Sequence, residues 1–327
     1  MDKKIISSII AAAAIISTIG CSKQEGPESV STPLSLRAEI VTATDSGTKA
    51  TLLDHSSSIS GYYVAGFVQG SNSKWFPGDA EKQKVTSSQA SFDSYLWKEK
   101  SSYTFYAYSD NIPSSGITAG ISSTGASLNV TSLPADASDQ KDILLGIYSG
   151  DGSIGGVKSG TASIHFYHPM ATLQLTAGSI IGLNSITSIE IQGLYSQGST
   201  TLDSSNTVTG TGDQRVAQFQ WQSLGGSLKA TQACSVSSLT EDSPIGEPFI
   251  LIPQAFSGNV KVALSVKLSD GTSTRIKGSL NEGGLVAGKK TICEINYSGG
   301  DKITFSPVSV TAWGSNEGRE ANAEEKN

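Results

Sequence analysis

Hydrophobic residues recur at every second position in several short segments of this chain. One such set lies close to the start: Leu34, Leu36, Ala38 and Ile40. Polar residues separate these positions, and this period of two predicts a β-strand with one buried face. Residues 261–268 alternate in the same way, and Asp270-Gly271 follows them as a candidate two-residue hairpin turn. No sustained helical period occurs, so the pattern predicts an all-β protein.

Two prolines mark places where the buried face of a strand changes sides. Phe166 and Leu173, on either side of Pro169, have opposite parity in the alternating pattern. The same change occurs across Pro307. Because proline lacks the N–H that a central strand uses, we expect a bulge or a bend at each of these sites.

Glycine-rich and polar segments divide the chain into parts. A chain of 327 residues is long enough for about two domains, and residues 149–161 contain five glycines, which is typical of a linker. We therefore expect two β-sandwich domains in series, at residues 34–152 and 153–300. Strand-like residues 301–313 and a polar, disordered tail, residues 314–327, follow them.

The N-terminus resembles an export signal. Lys3 and Lys4 precede an apolar run, residues 5–19, whose length is typical of a signal peptide and short for a membrane-spanning helix. We therefore expect residues 1–20 to be removed during export. We expect no transmembrane helix in the rest of the chain.

The end of the apolar run, TIGC, resembles a bacterial lipobox that finishes at Cys21. Its first residue is Thr18, whereas leucine is usual at this position. Lipidation of Cys21 with acyl chains such as palmitate would anchor the protein in a membrane, since each buried methylene contributes about 0.8 kcal/mol. A flexible tether, residues 21–33, would follow. The alternative is an ordinary signal peptide that is cut elsewhere and leaves Cys21 free.

Charge and motifs exclude several classes of function. A formal net charge of −6 and a pI near 5.2 give no basic footprint for nucleic acid. His165 and His168 have a metal-like spacing, but in a strand they point to opposite faces, so we expect no metal site. The chain has no nucleophile elbow, phosphate loop or dinucleotide motif. We therefore expect a protein that is not an enzyme and needs no cofactor.

Cysteine and tryptophan residues leave alternatives open. Cys293 shares the parity of hydrophobic neighbours, which favours burial, whereas a disulfide with Cys234 is the alternative in an exported protein. The four tryptophans, at positions 75, 97, 221 and 313, suit either the core or an exposed platform for carbohydrate. Trp75, in a turn-like segment, is the best candidate for exposure.

A series of segments resembles one known family in order and spacing. The segments are the lipobox at Cys21, LSLRAEIV with TKATLL, YTFYAYSD, KDILLGIYSG, HFYHPMATLQL, FILIPQ, LVAGKKTICEINY and the final ITFSPVSVTAW. Together they extend from residue 21 to residue 313. On these segments the chain resembles the fimbrillin family, the pilins of Bacteroidia-type (type V) pili.

The resemblance implies two transthyretin-like β-sandwich domains, export as an outer-membrane lipoprotein, and a place on the cell surface or in a fimbrium. It also implies that a trypsin-like protease removes the N-terminal segment, including the first strand. The family is usually cut after arginine, and here Lys49, followed by Ala50, has that place. Arg37 is the alternative cut site, although it lies inside the predicted first strand.

Loss of this first strand would leave unpaired backbone groups in a groove that another strand can fill. We expect the donor to be the C-terminal segment of another subunit, through five hydrophobic residues: Ile303, Phe305, Val308, Val310 and Trp313. The result is a head-to-tail polymer with other pilin subunits, in which this chain is a stalk, tip or anchor. The alternative is a stand-alone surface lipoprotein that binds glycans or host ligands through exposed aromatic residues.

Overall fold

A computed structural model describes residues 32–41, 59–70, 73–97, 101–151, 160–206, 208–209, 216–306 and 308–313. Several predicted features lie wholly or mostly outside the described residues: the signal peptide, Cys21, the tether at 21–33, the Lys49-Ala50 cut site, the linker at 149–161 with the boundary at 152/153, Pro307 and the tail at 314–327. Among the described residues, no helix is long and apolar enough to cross a membrane.

Strands make up most of the described chain, and this confirms the all-β prediction. The elements of the first half are β1 (Pro33–Ile40), β2 (Tyr62–Val68), β3 (Ser73–Phe76), β4 (Gln83–Val85), β5 (Gln89–Leu96), β6 (Ser102–Ser109), β7 (Ile117–Ser122), β8 (Gly125–Val130), a 3-10 helix (Ala137–Asp139) and β9 (Leu145–Asp151).

The second half begins with β10 (Thr161–Tyr167), β11 (Ala171–Ile180), β12 (Leu183–Leu194), β13 (Gln197–Leu202), β14 (Val208–Thr209), β15 (Val216–Ala217), β16 (Gln222–Gly225) and β17 (Leu228–Val236). It ends with β18 (Pro244–Leu251), β19 (Gln254–Ala255), β20 (Val260–Leu268), β21 (Ser273–Leu280), β22 (Gly284–Leu285), β23 (Lys289–Tyr297), β24 (Thr304–Phe305) and β25 (Ser309–Ala312).

The first sheet has the strand order β3-β2-β6-β9-β10-β1-β5, with β4 paired to β2. Aromatic side chains join its two ends. Phe76 of β3 lies 4.8 Å, between ring centroids, from both Phe92 and Tyr95 of β5. The sheet therefore curls until its end strands meet, and a small hydrophobic core that includes Tyr62 and Phe166 fills the interior.

Two further sheets carry the second half of the chain. One has the order β18-β11-β23, with β24 and β25 both paired to β23, and the other has the order β17-β12-β20-β21. Buried residues such as Leu175 and Cys293 from the first, and Ile191 and Leu264 from the second, belong to one hydrophobic cluster. Opposed sheets that share a buried layer form a β-sandwich.

Contacts between the two halves of the chain are extensive. Strand β8 pairs with β13 in the sheet β16-β13-β8-β7. The backbone N–H of Ile250 donates to Oε1 of the buried Gln140 at 2.7 Å, and the backbone N–H of Leu133 donates to the carbonyl of Ser196 at 2.9 Å. These bonds tie the segment between β8 and β9 to the second half of the chain.

The bend at Pro169 is where the chain passes from the first sheet into the second pair of sheets. Strand β10 pairs with β9 and β1, whereas β11, after the proline, pairs with β18 and β23. The division at residues 152/153 stays a prediction. We propose that the natural boundary lies at Pro169, because β10 completes the first sheet.

The hairpin between β20 and β21 has a three-residue loop instead of the predicted two-residue turn. The N–H of Leu268 donates to the carbonyl of Thr272, and the N–H of Gly271 donates back to the carbonyl of Leu268. Gly271 has a φ of +87°, which only glycine adopts without strain. Asp270-Gly271 therefore turns the chain as part of a bulged loop.

Replacing Gly193 of β12 by alanine should destabilise the protein more than the same change at Gly271. Both glycines have φ above +80°, but only at Gly193 would a Cβ clash with a backbone oxygen, that of Asn259. We expect Gly271→Ala to lower the free energy of unfolding by about 1–2 kcal/mol. Gly193→Ala should cost roughly 1–3 kcal/mol more, as measured by urea denaturation. Equal losses would contradict this account.

Candidate assembly interface

The inner face of β1 is part of the core of the first sheet. Leu34 and Leu36 are fully buried, Ile40 is nearly so, and Ala38 is half-buried, as the alternating pattern predicts. Strand β1 pairs in parallel with β10 on one side and antiparallel with β5 on the other. Both edges of β1 are therefore hydrogen-bonded, and its inward-facing side chains fill part of the core.

The outer face of β1 carries a polar cluster. The carboxylate of Glu39 lies 3.2 Å from Nε of Arg37 and 3.0 Å from Nε2 of His165, and it accepts a hydrogen bond from Ser163. In the sheet, Arg37 lies between Ser163 of β10 and Gln89 of β5. A protease that needs an extended, free segment would not reach the bond after Arg37 while β1 is in place.

The C-terminal segment lies along the edge of β23 in the second pair of sheets. Strand β24 pairs antiparallel with β23 near Ile295, and β25 pairs antiparallel with its other end, near Thr291. The predicted donor residues differ in exposure: Ile303 and Trp313 are buried, Phe305 and Val308 are half-buried, and Val310 is 47% exposed. In this form of the protein the segment covers the edge of a strand of its own chain.

Trp313 ends the described chain in a buried contact with His168. The two rings are stacked, with centroids 4.3 Å apart, and Nδ1 of His168 lies 3.0 Å from Oδ1 of the buried Asp142. Nε1 of Trp313 and Nε2 of His168 are buried, and neither has a hydrogen-bond partner among the described residues. The stacking of the two buried rings therefore holds the end of the segment in place.

Strand β1 and the C-terminal segment lie in different sheets and do not pair with each other. His165 and His168 also have separate partners, Glu39 and Asp142. The described side chains include no cluster of three or more His, Cys, Asp or Glu residues arranged to hold a metal ion.

Neither described cysteine forms a disulfide. Cys293 is fully buried, and burial raises the pKa of its thiol to about 12. Burial also raises the pKa of the half-buried Cys234, whose thiol points to the carbonyl of Ile186. Both thiols are therefore protonated at neutral pH, and Cys293 is the core residue that its parity suggests.

The tryptophans pack inside the protein and form no exposed platform. Trp75, the best candidate for exposure from the sequence, is half-buried, and its ring centroid lies 4.5 Å from that of Tyr103 and 5.6 Å from that of Trp97. Trp97 and Trp313 are buried, and Trp221 donates its N–H to a backbone carbonyl. Carbohydrate binding through exposed tryptophan therefore has no site among them.

A family model described as "Fimbrillin-like" matches residues 56–313, which is most of the chain. The chain belongs to this family. A search of curated proteins found no match. As a fimbrillin-like protein, it has a pilus-related role, which places it at the cell surface. This confirms the resemblance on which the sequence-based expectations depend.

Solved structures with similar chain paths include two from Bacteroidales. A fimbrial protein from Bacteroides vulgatus has 13% identity and a TM-score of 0.45, with 85% of this chain and 99% of that chain covered. A fimbrial assembly protein from Parabacteroides distasonis has 14% identity and a TM-score of 0.41, with the same two shares covered.

Several residues of this fimbrillin-like protein that bear on the candidate interface were not apparent in its sequence. Phe76, Phe92 and Tyr95 hold β5 against β3, and their pairing joins strands at opposite ends of one sheet. The hydrophobic pattern of a single segment does not predict a contact between strands at opposite ends of a sheet. Asp142 was also missed, although a lone acidic residue beside the hydrophobic segment ILLGI is a signal for a buried, partnered carboxylate.

Removing the Trp313 side chain should loosen the C-terminal segment without unfolding the rest. We expect Trp313→Ala to speed amide hydrogen exchange in β25 roughly tenfold or more, because the buried indole holds the end of the strand. Exchange in β12 and β20 should stay close to that of the unaltered protein.

Val310→Ala is the matched control, since the Val310 side chain is 47% exposed and contributes little to docking. Equal exchange rates for β25 in the two variants would show that Trp313 does not hold the segment.

Proposed function

We propose that this fimbrillin-like chain is a structural subunit or adhesin of a cell-surface pilus. It is exported as an outer-membrane lipoprotein through Cys21, loses β1 to a protease, and polymerises by donor-strand exchange. The observation that supports the proposal most directly is the position of β1 between β10 and β5. A strand with two paired neighbours leaves a slot when it is removed, whereas an edge strand leaves only a new edge.

The slot has the dimensions of one strand. Neighbouring strands are about 4.8 Å apart, so β10 and β5 would be left about 10 Å apart with unpaired N–H and C=O groups facing each other. The sites of Leu34 and Leu36 would become open apolar pockets. An incoming strand with hydrophobic residues at alternate positions satisfies both the backbone groups and the pockets.

The slot would not close by itself when β1 leaves. Strand β5 has no backbone partner other than β1 among the described strands, but its Phe92 and Tyr95 pack on Phe76 of β3. These aromatic contacts do not involve β1. They favour a processed subunit in which β5 keeps its place and the groove stays open.

The C-terminal segment has the pattern and length of a donor. It carries two hydrophobic pairs at alternate positions, Ile303 with Phe305 and Val308 with Val310, on either side of residue 307. Residues 303–313 can span about 36 Å when extended, compared with about 26 Å for the eight residues of β1. Because the segment lies in another sheet of its own chain, a second subunit is the natural acceptor, and assembly is head-to-tail.

Cleavage after Lys49 is the step that would start assembly. Lys49-Ala50 lies between β1 and β2 in sequence, so one cut there separates both β1 and Cys21 from the rest of the subunit. The alternative, Arg37, lies within a strand that is paired on both sides. The uncut form would remain on the membrane as an unassembled precursor.

Lys49→Gln should block processing in cells. We expect protein released from the wild-type surface to begin at Ala50 by N-terminal sequencing, and the variant to remain as a lipidated precursor. Arg37→Gln is the control and should be processed normally. A wild-type start other than Ala50, or normal processing of Lys49→Gln, would reject this cut site.

Val310→Asp should prevent polymer formation while leaving the subunit folded. The Val310 side chain is 47% exposed in the free subunit, so the carboxylate has access to water there, whereas in the groove of an acceptor it would be buried without a partner. We expect the ladder of oligomers on an unheated denaturing gel to disappear, with the melting temperature of the monomer within a few degrees of the original.

Thr304→Asp adds the same charge to an exposed position of the C-terminal segment and should leave the ladder intact. Truncation after Asp301 should abolish the ladder, as Val310→Asp does. A ladder that survives both changes would show that the donor lies elsewhere.

A further inference from the structure

The outer face of the sheet β17-β12-β20-β21 contains a groove that lies outside the slot left by β1. Its cavity volume is about 840 Å³. The floor is formed by alternate, outward-facing residues of β12, β20 and β21, and residues 301–304 form one wall. The hydrophobic residues between them, such as Leu264 and Ile276, point into the core of the sandwich.

The groove is strongly basic in a chain that is acidic as a whole. Five cationic side chains line it: Lys229, Lys261, Arg275, Lys277 and Lys302. Only two carboxylates oppose them, those of Glu190 and Asp301, which leaves an excess of three positive charges. The full chain has a formal net charge of −6, so positive charge is concentrated at this site.

Glu190 neutralises only part of this charge. Its carboxylate lies 2.7 Å from Nζ of Lys229 and is also paired with Arg275. Burial alone would raise the pKa of the Glu190 carboxyl, but hydrogen bonds from Lys229 and two neighbours lower it below its ordinary value. Glu190 is therefore ionised and holds two of the cations in place.

The other three cations have no such partner. Within the part of the chain that the structure describes, no carboxylate forms an ion pair with Lys261, Lys277 or Lys302. All three are exposed. The backbones of Lys277 and Lys302 form an isolated β-bridge. Lys261 lies on the strand next to Lys277 and is offset from it by two residues, so their Cα atoms are about 8 Å apart. Like charges this close repel one another and favour a bound anion.

The shape of the groove favours a polysaccharide over a peptide. Peptides dock by adding a strand to a free sheet edge or by filling apolar pockets. This groove lies on the face of the sheet, where the strands are already paired, and its exposed lining is polar. Gln192, Ser279 and Thr304 add amide and hydroxyl groups that can bond to sugar hydroxyls.

We propose that this groove binds an acidic polysaccharide, whose sulfate or carboxylate groups contact Lys261, Lys277 and Lys302. The site differs from an aromatic platform, because charge and hydrogen bonds supply the recognition. It would give the protein a ligand-binding function in addition to assembly.

The test uses the purified chain and a heparin hexasaccharide, with calorimetry to measure the Kd at low ionic strength. We expect the triple variant Lys261→Gln/Lys277→Gln/Lys302→Gln to raise the Kd at least tenfold. We expect binding by the unaltered chain to weaken strongly at about 1 M salt, where charges are screened within about 3 Å. A neutral maltohexaose should not bind.

Lys74→Gln/Lys82→Gln/Lys141→Gln removes the same charge from the first half of the chain and is the matched control. It should keep the original Kd within about twofold. A triple Lys→Arg variant of the groove should also bind, which separates charge from folding.

Three results would overturn the proposal. They are failure of the unaltered chain to bind the hexasaccharide, equal weakening in the groove and control variants, and tighter binding of poly-L-glutamate than of the hexasaccharide. The last result would assign the groove to an acidic peptide. Because the assay uses unassembled protein, it is independent of whether Val310→Asp blocks polymer formation.

Discussion

Backbone pairing of β1 with both β10 and β5 is the constraint on which the first sheet depends. Strand β5 has no other backbone partner among the described strands, and the core of the curled sheet includes Leu34 and Leu36. A strand in this position is structurally necessary, yet it need not come from the same chain. The pattern that the slot requires is only a run of hydrophobic residues at alternate positions. This tolerance makes exchange of one strand for another energetically reasonable.

The C-terminal segment, the proposed replacement for β1, also has a structural role in its own chain. It shields the edge of β23, and an uncovered edge strand of that length would invite unwanted association. The segment is unevenly buried, however, because Ile303 and Trp313 lie in the core whereas Val310 is 47% exposed. A segment that is only partly buried can stay docked in a free subunit and still be displaced when a better-matched site is offered.

Much of this architecture could be predicted from local patterns. The alternation at Leu34 to Ile40 located β1 and its buried face, and the parity change at Pro169 predicted a bend there. That this bend is the passage between sheets was not predicted, since the division was placed at residues 152/153. Contacts between distant strands could not be predicted in the same way. Closure of the first sheet depends on Phe76 meeting Phe92 and Tyr95, and the hydrophobic period of each segment is the same whichever partner it meets. The negative net charge of the chain likewise gave no sign of the basic groove, since net charge is a sum over the whole surface.

The groove and the C-terminal segment share residues, and this links binding to assembly. Lys302 and Thr304 line the groove, and the backbone N–H of Ile303 donates to the carbonyl of Lys277 on β21. If the segment leaves its own β23 to enter another subunit, the groove loses one wall and one of its unpaired cations. An anion bound across Lys261, Lys277 and Lys302 would therefore stabilise the docked form, and by reciprocity the docked form would bind the anion more tightly. The magnitude of that coupling depends on how much of the binding energy Lys302 contributes, because Lys261 and Lys277 stay on β20 and β21 in either state.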